Sequence, residues 1–562
     1  MNRRMNRRDF LRGALVTGSG ILAVSSLSAC VAPSGQQPSS TPIATPPAEA
    51  QEKVVVFIQG QGNSYGAKPK TLWTGFRFWT NSGQPSRMLW EPLVDLDENL
   101  QPVPGLAESW EFEDNQTLRF NLRRDVVWSD GTPITAEDVV FSMNITFHPE
   151  ARDMTASELS IIKGGEEMMA GEAQELAGVR AVDDHTVIIE TATPDTTLAL
   201  SMGLRWWAPI PKHIYGDIPP GELEQSPEML APKVVSGPYF MDREETDRWY
   251  EFVPNERYWR GVPPLDRIVY IYGEIGDLVA LASQERFHHS WVRNAEVAAA
   301  IEELPTYTVI WKPYIQGYRL QFNLRLPKFQ DPLFRKAVCY AIDRETLCND
   351  IYKGYATPIY TDFEGDLLDP QAEVYRFDMD YARQLLSQSS WDPNDTVKYL
   401  RSAPSGTPNP VAEAEMLAYQ EWLGDLGVKM EFDIKPDSAS YTAAIDEKQY
   451  ELFENPHRPY HIYGPLEMHN YLSSGPNSWH GYNNSEVDEL IKQSFLLYGT
   501  DQEEYVRVAR RMSVIVQDEA VFVPTKQVLA ANVIHEDFIG LTPIGEAYFT
   551  YARPWLWDLR TS

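Results

Sequence analysis

Four of the chain's ten histidines, His457, His461, His469 and His480, fall between residues 457 and 480, and imidazoles at that density are the first candidates for chemistry. His457 and His461 have the four-residue spacing that would put two metal ligands on one helix face. Pro456 and Pro459 deny that stretch a helix, since proline lacks the amide proton and clashes with the preceding turn. A loop could still ligate through neutral imidazole, so a metal-chelate cargo stays open as an alternative, with no metal or other cofactor assigned. Carboxylates number 80, too many for any pair to stand out as a hydrolase dyad. The chain therefore reads as a binder, with a secreted hydrolase as the weaker alternative. "GQGNSYG" (Gly60–Gly66) follows a strand-like run as a nucleotide-binding turn would. No helix opens after it and the glycine spacing is wrong, which leaves a loop.

Aromatic rings are the second resource. Sixteen tryptophans include Trp206-Trp207, Trp291, Trp311 and Trp479 in segments a ligand could reach. Flat rings suit the apolar faces of sugars as well as peptide side chains. In "RWWAPIPKHIYG" (Arg205–Gly216) two adjacent large rings cannot both enter one core face of a strand. One of Trp206 and Trp207 is therefore predicted to face a cleft or solvent.

These residues need a body to hold them, and the N-terminus says where that body works. Arg3, Arg4, Arg7, Arg8 and Arg12 precede an uncharged run from Gly13 to Ala29, diluted by Gly13, Gly18 and Gly20. That run is too short and too weakly apolar to span a bilayer and has the layout of an export signal. "RRDFL" (Arg7–Leu11) resembles the twin-arginine signal, and "LSAC" (Leu27–Cys30) resembles the bacterial lipoprotein box, with Cys30 as the lipidated residue. Several acyl chains hold a protein at a membrane where one does not. Residues 30–53 contain "VAPSGQQPSSTPIATPPAEAQEK" (Val31–Lys53), proline-rich and without an aromatic, and read as a disordered tether. The expected location is extracytoplasmic, beside the cell membrane.

The remaining body, from Val54, is long enough for two or three domains, and 43% apolar with 12% aromatic residues is ample for cores. The formal charge is −31; removing residues 1–29, with five arginines and one aspartate, makes it −35. Such a surface repels phosphate backbones, so nucleic acid is excluded as a partner. Cys339 and Cys348 lie nine residues apart in a helical pattern and read as packed thiols, bridgeable only if the helix breaks between them.

Local patterns alternate between strands and helices, giving an α/β body. "VVVFIQ" (Val54–Gln59) reads as a buried strand, and "TLRFNLR" (Thr117–Arg123) puts Leu118, Phe120 and Leu122 on one strand face. Thr135 followed by Asp138 is a capping-box pattern, and Asp331-Pro332 is a cap with proline at the first helical position. Apolar residues then recur at 333, 334, 337, 338, 341 and 342. Glu486–Leu497 and Glu503–Ala520 read as amphipathic helices.

"LWEPLVDLDENLQPVPGLAESWEFEDNQTLRFNLRRDVVWSDGTPITAEDVVFSMN" (Leu89–Asn144) resembles the signature of the family 5 extracellular solute-binding proteins. These are receptors of ABC importers for oligopeptides, dipeptides, nickel and some oligosaccharides. "SGPYFM" (Ser236–Met241), "NERYWRGVPPLDRIVYIY" (Asn255–Tyr272), "FRKAVCYAIDRETL" (Phe334–Leu347) and "FDMDYARQLLSQSSW" (Phe377–Trp391) continue the resemblance in order. It implies a two-lobed periplasmic-binding-protein-like fold (type II, cluster C). Lobe 1 would hold residues 54–310 and 525–562, with an extra subdomain at 83–204, and lobe 2 residues 311–524. The linkers would lie near Tyr314–Asn323 and Val521–Val528.

The partners implied are a peptide or other small solute and the ABC permease, with a lipid anchor on the membrane and the receptor itself a monomer. Peptide-binding relatives hold the ligand's amino terminus with an aspartate that follows a tryptophan. Here the stretch reads "ELFENPHRPYHIYGPLEMHNYL" (Glu451–Leu472), both are absent, and Glu454 is the nearest acid. The candidate ligand contacts are Trp206, Trp207, Tyr314, Glu454, His457, Arg458, Tyr460 and Trp479. A peptide or peptide-like ligand is expected, with an oligosaccharide as the alternative.

Overall fold

The structure, a computed structural model, describes residues 52–61, 83–151, 155–156, 159, 161–204, 207–245, 248–271, 277–403, 409–457, 464–468, 471–472, 480–541 and 553–560. The expected signal, Cys30 and nearly all of the expected tether lie outside them. Among the described residues no helix is long and apolar enough to cross a membrane.

The chain first lays down β1 (Val54–Gln61), then β2 (Ala107–Phe112) and β3 (Thr117–Leu122). In β3 the inward side chains Leu118, Phe120 and Leu122 are buried and alternate with half-exposed ones, as the period-two pattern requires. Helix α1 (Ala136–Phe147) starts where Asp138 turns its carboxylate back to accept from the Thr135 N–H at 2.9 Å. Strands β4 (Val179–Asp183) and β5 (Thr186–Glu190) complete a small four-stranded sheet in the order β2-β3-β5-β4. Helix α2 (Leu198–Leu204) follows.

The main sheet continues with β6 (Tyr239–Glu245), β7 (Trp249–Pro254), β8 (Arg267–Ile271), β9 (His289–Val292) and the long β10 (Tyr307–Phe322). Helix α3 (Pro332–Ala341) begins at Asp331, whose carboxylate accepts from the Leu333 N–H at 2.9 Å. Next come β11 (Ala356–Pro358), α4 (Met379–Gln388), β12 (Thr396–Ser402), α5 (Pro410–Leu426), β13 (Lys429–Lys435), α6 (Ser438–Asp446) and β14 (Leu452–His457). Helices α7 (Ser485–Leu497) and α8 (Gln502–Asp518) precede the last long strand, β15 (Val523–His535). The main sheet has eleven strands, ordered β13-β12-β14-β10-β15-β9-β1-β8-β7-β6, with β11 added alongside β15. Both edges are charged: β13 reads "KMEFDIK" and β6 ends in "REE", which discourages further strand pairing.

Two large hydrophobic cores divide this body. One gathers Val55, Trp90, Phe120, Trp128, Trp207 and Tyr250; the other gathers Phe322, Phe334, Tyr419, Leu452, Met512 and Phe522. Strands β10 and β15 run antiparallel to each other and pass between the cores: Ile310 and Ile534 pack with the first, Leu320 and Val523 with the second. Their register shifts between Pro313 and Gly317, inside the crossing. Away from these strands the cores are tied by Thr196. Its N–H donates to the Phe495 carbonyl at 3.0 Å, and its hydroxyl lies 2.7 Å from the Phe495 and Tyr498 carbonyls, at the C-terminus of α7. An exposed Lys353–Glu296 ion pair and the Trp311 and Tyr355 rings, tilted by 30° with centroids 4.8 Å apart, add contacts beside the crossing.

The family-like segments act through packing. Gly237 of "SGPYFM" donates its N–H to the Leu89 carbonyl at 2.8 Å, so close that a Cβ would stand 2.4 Å from the Met88 oxygen. Arg344, at the end of "AIDR", is buried and donates to the carbonyls of Cys339, Ile342, Tyr375 and Pro524, joining the end of α3 to the start of β15. Helix α3 does stop between Cys339 and Cys348, yet both remain separate buried thiols.

Candidate functional site

A group of charges at the second core, Lys526 with Glu415 and Glu454, sits where the crossing begins. In β10 and β15 Tyr318 lies opposite Lys526, and in the neighbouring β14 Glu454 lies opposite Leu320 and His457 opposite Gly317. Helix α5 supplies Glu415 and Tyr419, four residues apart and therefore on one face. The Lys526 ammonium touches Glu415 Oε1 and lies 2.5 Å from Glu454 Oε1. Tyr352 Oη donates to Glu415 Oε2 at 2.7 Å, and Tyr419 Oη donates to Glu415 Oε1 at 2.6 Å while standing 3.4 Å from Glu454 Oε1. The ammonium also lies 4.5 Å from the Tyr318 ring centre and 5.4 Å from that of Tyr352, within cation–π range.

Burial divides the roles. The Lys526 and Glu415 side chains are 1% and 6% exposed, whereas Glu454 is 21% exposed and reaches solvent. Burial pulls the Lys526 ammonium down, but the charges of Glu415 and Glu454 outweigh it and hold the group above the ordinary lysine range. Burial pushes Glu415 up, and Lys526 with the two tyrosine hydroxyls more than reverses that. For Glu454, burial and then the neighbouring Glu415 charge prevail, pushing it up to about 7. Two carboxylates thus share one ammonium, and Glu454 is the carboxylate that holds a proton near neutrality.

The sequence candidates fare unevenly. Glu454 is in this cluster, but its ammonium partner is the chain's own Lys526. Trp207 is not presented to any cleft: it is 1% exposed in the first core, with Nε1 donating to Thr146 Oγ1 at 3.1 Å. Its neighbour Trp206 lies outside the described residues, as do Arg458, Tyr460, Trp479 and Cys30. Tyr314 and His457 lie in β10 and β14, but their side chains fall outside the described set. His480 is a core residue, packed 5.2 Å from the Phe522 ring, with Nδ1 accepting from the Tyr482 N–H at 2.9 Å. Trp291 and Trp311 are half-buried, and Trp311 Nε1 donates to Glu302 at 3.2 Å. Among the described residues no three His, Cys, Asp or Glu side chains form a metal-binding group. Of "GQGNSYG" only Gly60 and Gln61 fall in β1. The rest, which includes a Gly-x-Ser-x-Gly spelling at Gly62–Gly66, lies outside the described residues.

Sequence reasoning missed Lys526, Glu415, Tyr419 and Tyr352. One signal existed: Lys526 is the single charge in "VFVPTKQVLAANV", an apolar run fit for a buried strand, and a buried ammonium requires carboxylates nearby.

A family model described as bacterial extracellular solute-binding proteins, family 5 middle, matches residues 101–479. A putative ABC transporter peptide-binding protein of Brucella ovis is 26% identical over 356 residues, covering 60% of this chain and 62% of its own length. The substrate-binding protein CtaP of Listeria monocytogenes superposes with a TM-score of 0.74 at 19% identity, over 90% of this chain and 99% of that one. The oligopeptide-binding protein AppA of Bacillus subtilis, solved with a nonapeptide, does so with a TM-score of 0.70 at 17% identity, over 91% and 100%.

Proposed function

Because the chain belongs to family 5 of the bacterial extracellular solute-binding proteins, we propose that it captures a peptide or peptide-like solute between two lobes and hands it unchanged to the permease of an ABC importer. The observation that carries the reading is the pair of strands β10 and β15, the β-strand connection between two separate cores. Elements joined this way close on a ligand by bending a few strand residues while each core stays intact. The register shift at Pro313–Gly317 is where such bending costs least, because ladder pairing is already interrupted there. The peptide class is supported by the peptide-binding descriptions of the Brucella and Bacillus relatives. In the same reading the mature protein is held at the outer face of the cell membrane through a lipid on Cys30, with residues 31–53 as the tether.

Thermal denaturation with a panel of di- to pentapeptides and of cello- and xylo-oligosaccharides tests the cargo. A ligand that binds only the folded form raises the melting temperature, so peptides should raise it and sugars should not. A rise with sugars alone makes the chain an oligosaccharide receptor. Cys30→Ala should move the protein from the membrane fraction to the soluble extracytoplasmic fraction with peptide binding unchanged. Retention in the membrane fraction removes the lipid from this reading.

A further inference from the structure

The chain enters its folded body at Lys53, and that entry is held from two sides. The Lys53 N–H donates to Asp266 Oδ2 at 2.7 Å, and the Lys53 carbonyl accepts from the Asp266 N–H at 3.0 Å. Its ammonium lies 2.7 Å from Asp558 Oδ1, near the other end of the chain. Asp558 belongs to a two-stranded ribbon of β16 (Phe538–Ile539) and β17 (Asp558–Leu559), in which it lies opposite Ile539. The inner side of this ribbon is core: Phe538 and Trp557 are buried, and the Trp557 ring stands 5.2 Å from that of Phe57. Their neighbours Ile539 and Leu556 turn outward instead, 36% and 49% exposed. Gly540 packs so closely on Leu556 that a Cβ would stand 1.9 Å from its carbonyl oxygen, so the two outward residues lie side by side. The Arg260 guanidinium covers the Trp555 ring at 4.4 Å and ties this ribbon to the segment that leads to Asp266. In that segment Val262 is 59% exposed, the most exposed large apolar side chain among the described residues. Three of the eight exposed large apolar side chains among the described residues, Val262, Ile539 and Leu556, thus gather around the two carboxylates that hold Lys53. Apolar side chains scattered singly over a surface need no explanation, but a group of them does.

Lys53 is the last residue of the tether expected from the sequence. Residues 31–53, even fully extended, separate this face from a lipid on Cys30 by no more than about 80 Å. A contact too weak to hold a free protein is occupied once a tether confines it to that range, because its effective concentration is high. The strongly negative charge of the chain repels an anionic bilayer over most of the body, so the body meets lipid best where apolar side chains project.

We infer that the face formed by Val262, Ile539 and Leu556 rests on the phospholipid surface, its side chains entering the headgroup boundary, and so holds the receptor in one orientation beside the membrane. The inference rests on the lipid-anchor reading and deepens it: the lipid on Cys30 supplies the affinity, and this face supplies the orientation.

The test places an environment-sensitive fluorophore on Val262→Cys or Leu556→Cys, with Leu417→Cys, on an exposed position of α5, as the reference. Cys339 and Cys348 are buried, and Cys30 carries the lipid in this reading, so the label goes to the introduced thiol. The mature lipidated protein is mixed with vesicles of phosphatidylethanolamine and phosphatidylglycerol, and flotation is scored before fluorescence. Lipids with a nitroxide near the acyl carbonyl should quench the labels at 262 and 556 about threefold or more over the label at 417. Quenching at either position no greater than at 417, in protein that floats, overturns the inference and leaves the lipid anchor standing. Protein that does not float removes the anchor and the inference together. A label at 262 or 556 that responds to protein concentration without vesicles, or only in vesicles carrying the permease, makes the face a protein contact and overturns the inference. Where one cysteine variant fails to fold, the other decides, since both positions lie on the one face.

Discussion

Lys526→Met is the sharpest probe of the charge balance at the crossing. Methionine keeps the length and the packing against the Tyr318 and Tyr352 rings but removes the ammonium that Glu415 and Glu454 share. Removing one partner of a buried pair costs about 3–5 kcal/mol, since the remaining charge is stranded away from water. Here the stranded group can escape by taking a proton. Glu415, now held below the ordinary carboxylate range, would rise well above it once Lys526 is gone. An acid whose folded pKa exceeds its unfolded value contributes stability below the unfolded pKa and loses it as pH rises toward the folded pKa. One extra bound proton changes stability by about 1.4 kcal/mol per pH unit, so a deficit of about 5 kcal/mol at pH 8 shrinks to about 1 kcal/mol at pH 5. Urea midpoints of parent and variant at pH 5, 6, 7 and 8 read this directly. Adding Glu415→Gln to the variant should recover most of the loss at pH 8. A deficit that is the same at all four pH values would refute the reasoning and reduce Lys526 to a packing residue.

Other substitutions probe the scaffold. Gly237→Ala would push a Cβ against three backbone atoms of Met88, Leu89 and Trp90, at 2.4, 2.6 and 2.8 Å, none of which can rotate away. A loss of about 2–3 kcal/mol in urea unfolding is expected, as for strong overpacking, and an unchanged midpoint contradicts it. Thr196→Val removes the hydroxyl that meets the Phe495 and Tyr498 carbonyls but keeps the backbone bond. Losing about 1 kcal/mol from the joined state should weaken peptide affinity roughly fivefold and raise the radius of gyration in X-ray scattering. Burial depresses His288 and His289 to about 4. A depressed histidine contributes stability above its unfolded pKa of about 6.5 and loses it as pH falls toward 4, about 2 kcal/mol per imidazole at pH 5. His289→Asn should therefore show a smaller drop in urea midpoint from pH 7 to pH 5 than the parent, and an equal drop argues against it.

What the sequence discloses here is whatever is decided within a few residues. Asp331-Pro332 announces α3, Thr135 with Asp138 announces α1, and the alternation of Leu118, Phe120 and Leu122 announces β3, because caps and strand faces are local matters. Segment-by-segment likeness to a family extends this to the two-lobed plan. The tryptophan pair shows where local reasoning stops. The rule that two neighbouring rings part company is a strand rule, but Trp207 follows α2 outside any strand, and it is buried with Thr146, 61 residues away, accepting from its ring N–H. The charge cluster is less legible still. Residues 352, 415 with 419, 454 and 526 come from four separate stretches of chain, and no spacing rule joins those stretches.

Glu454 is the instructive case, since its residue type was readable and its partner was not. An acid in a segment where relatives place one reads naturally as a grip for the ligand's ammonium. The fold gives it an internal ammonium, Lys526, and gives that ammonium a second acid, Glu415. Lys526 lies on β15, a strand that also passes between the cores, opposite Tyr318 on the other such strand. A change of charge at Glu454 is therefore felt by a side chain rooted in the crossing itself.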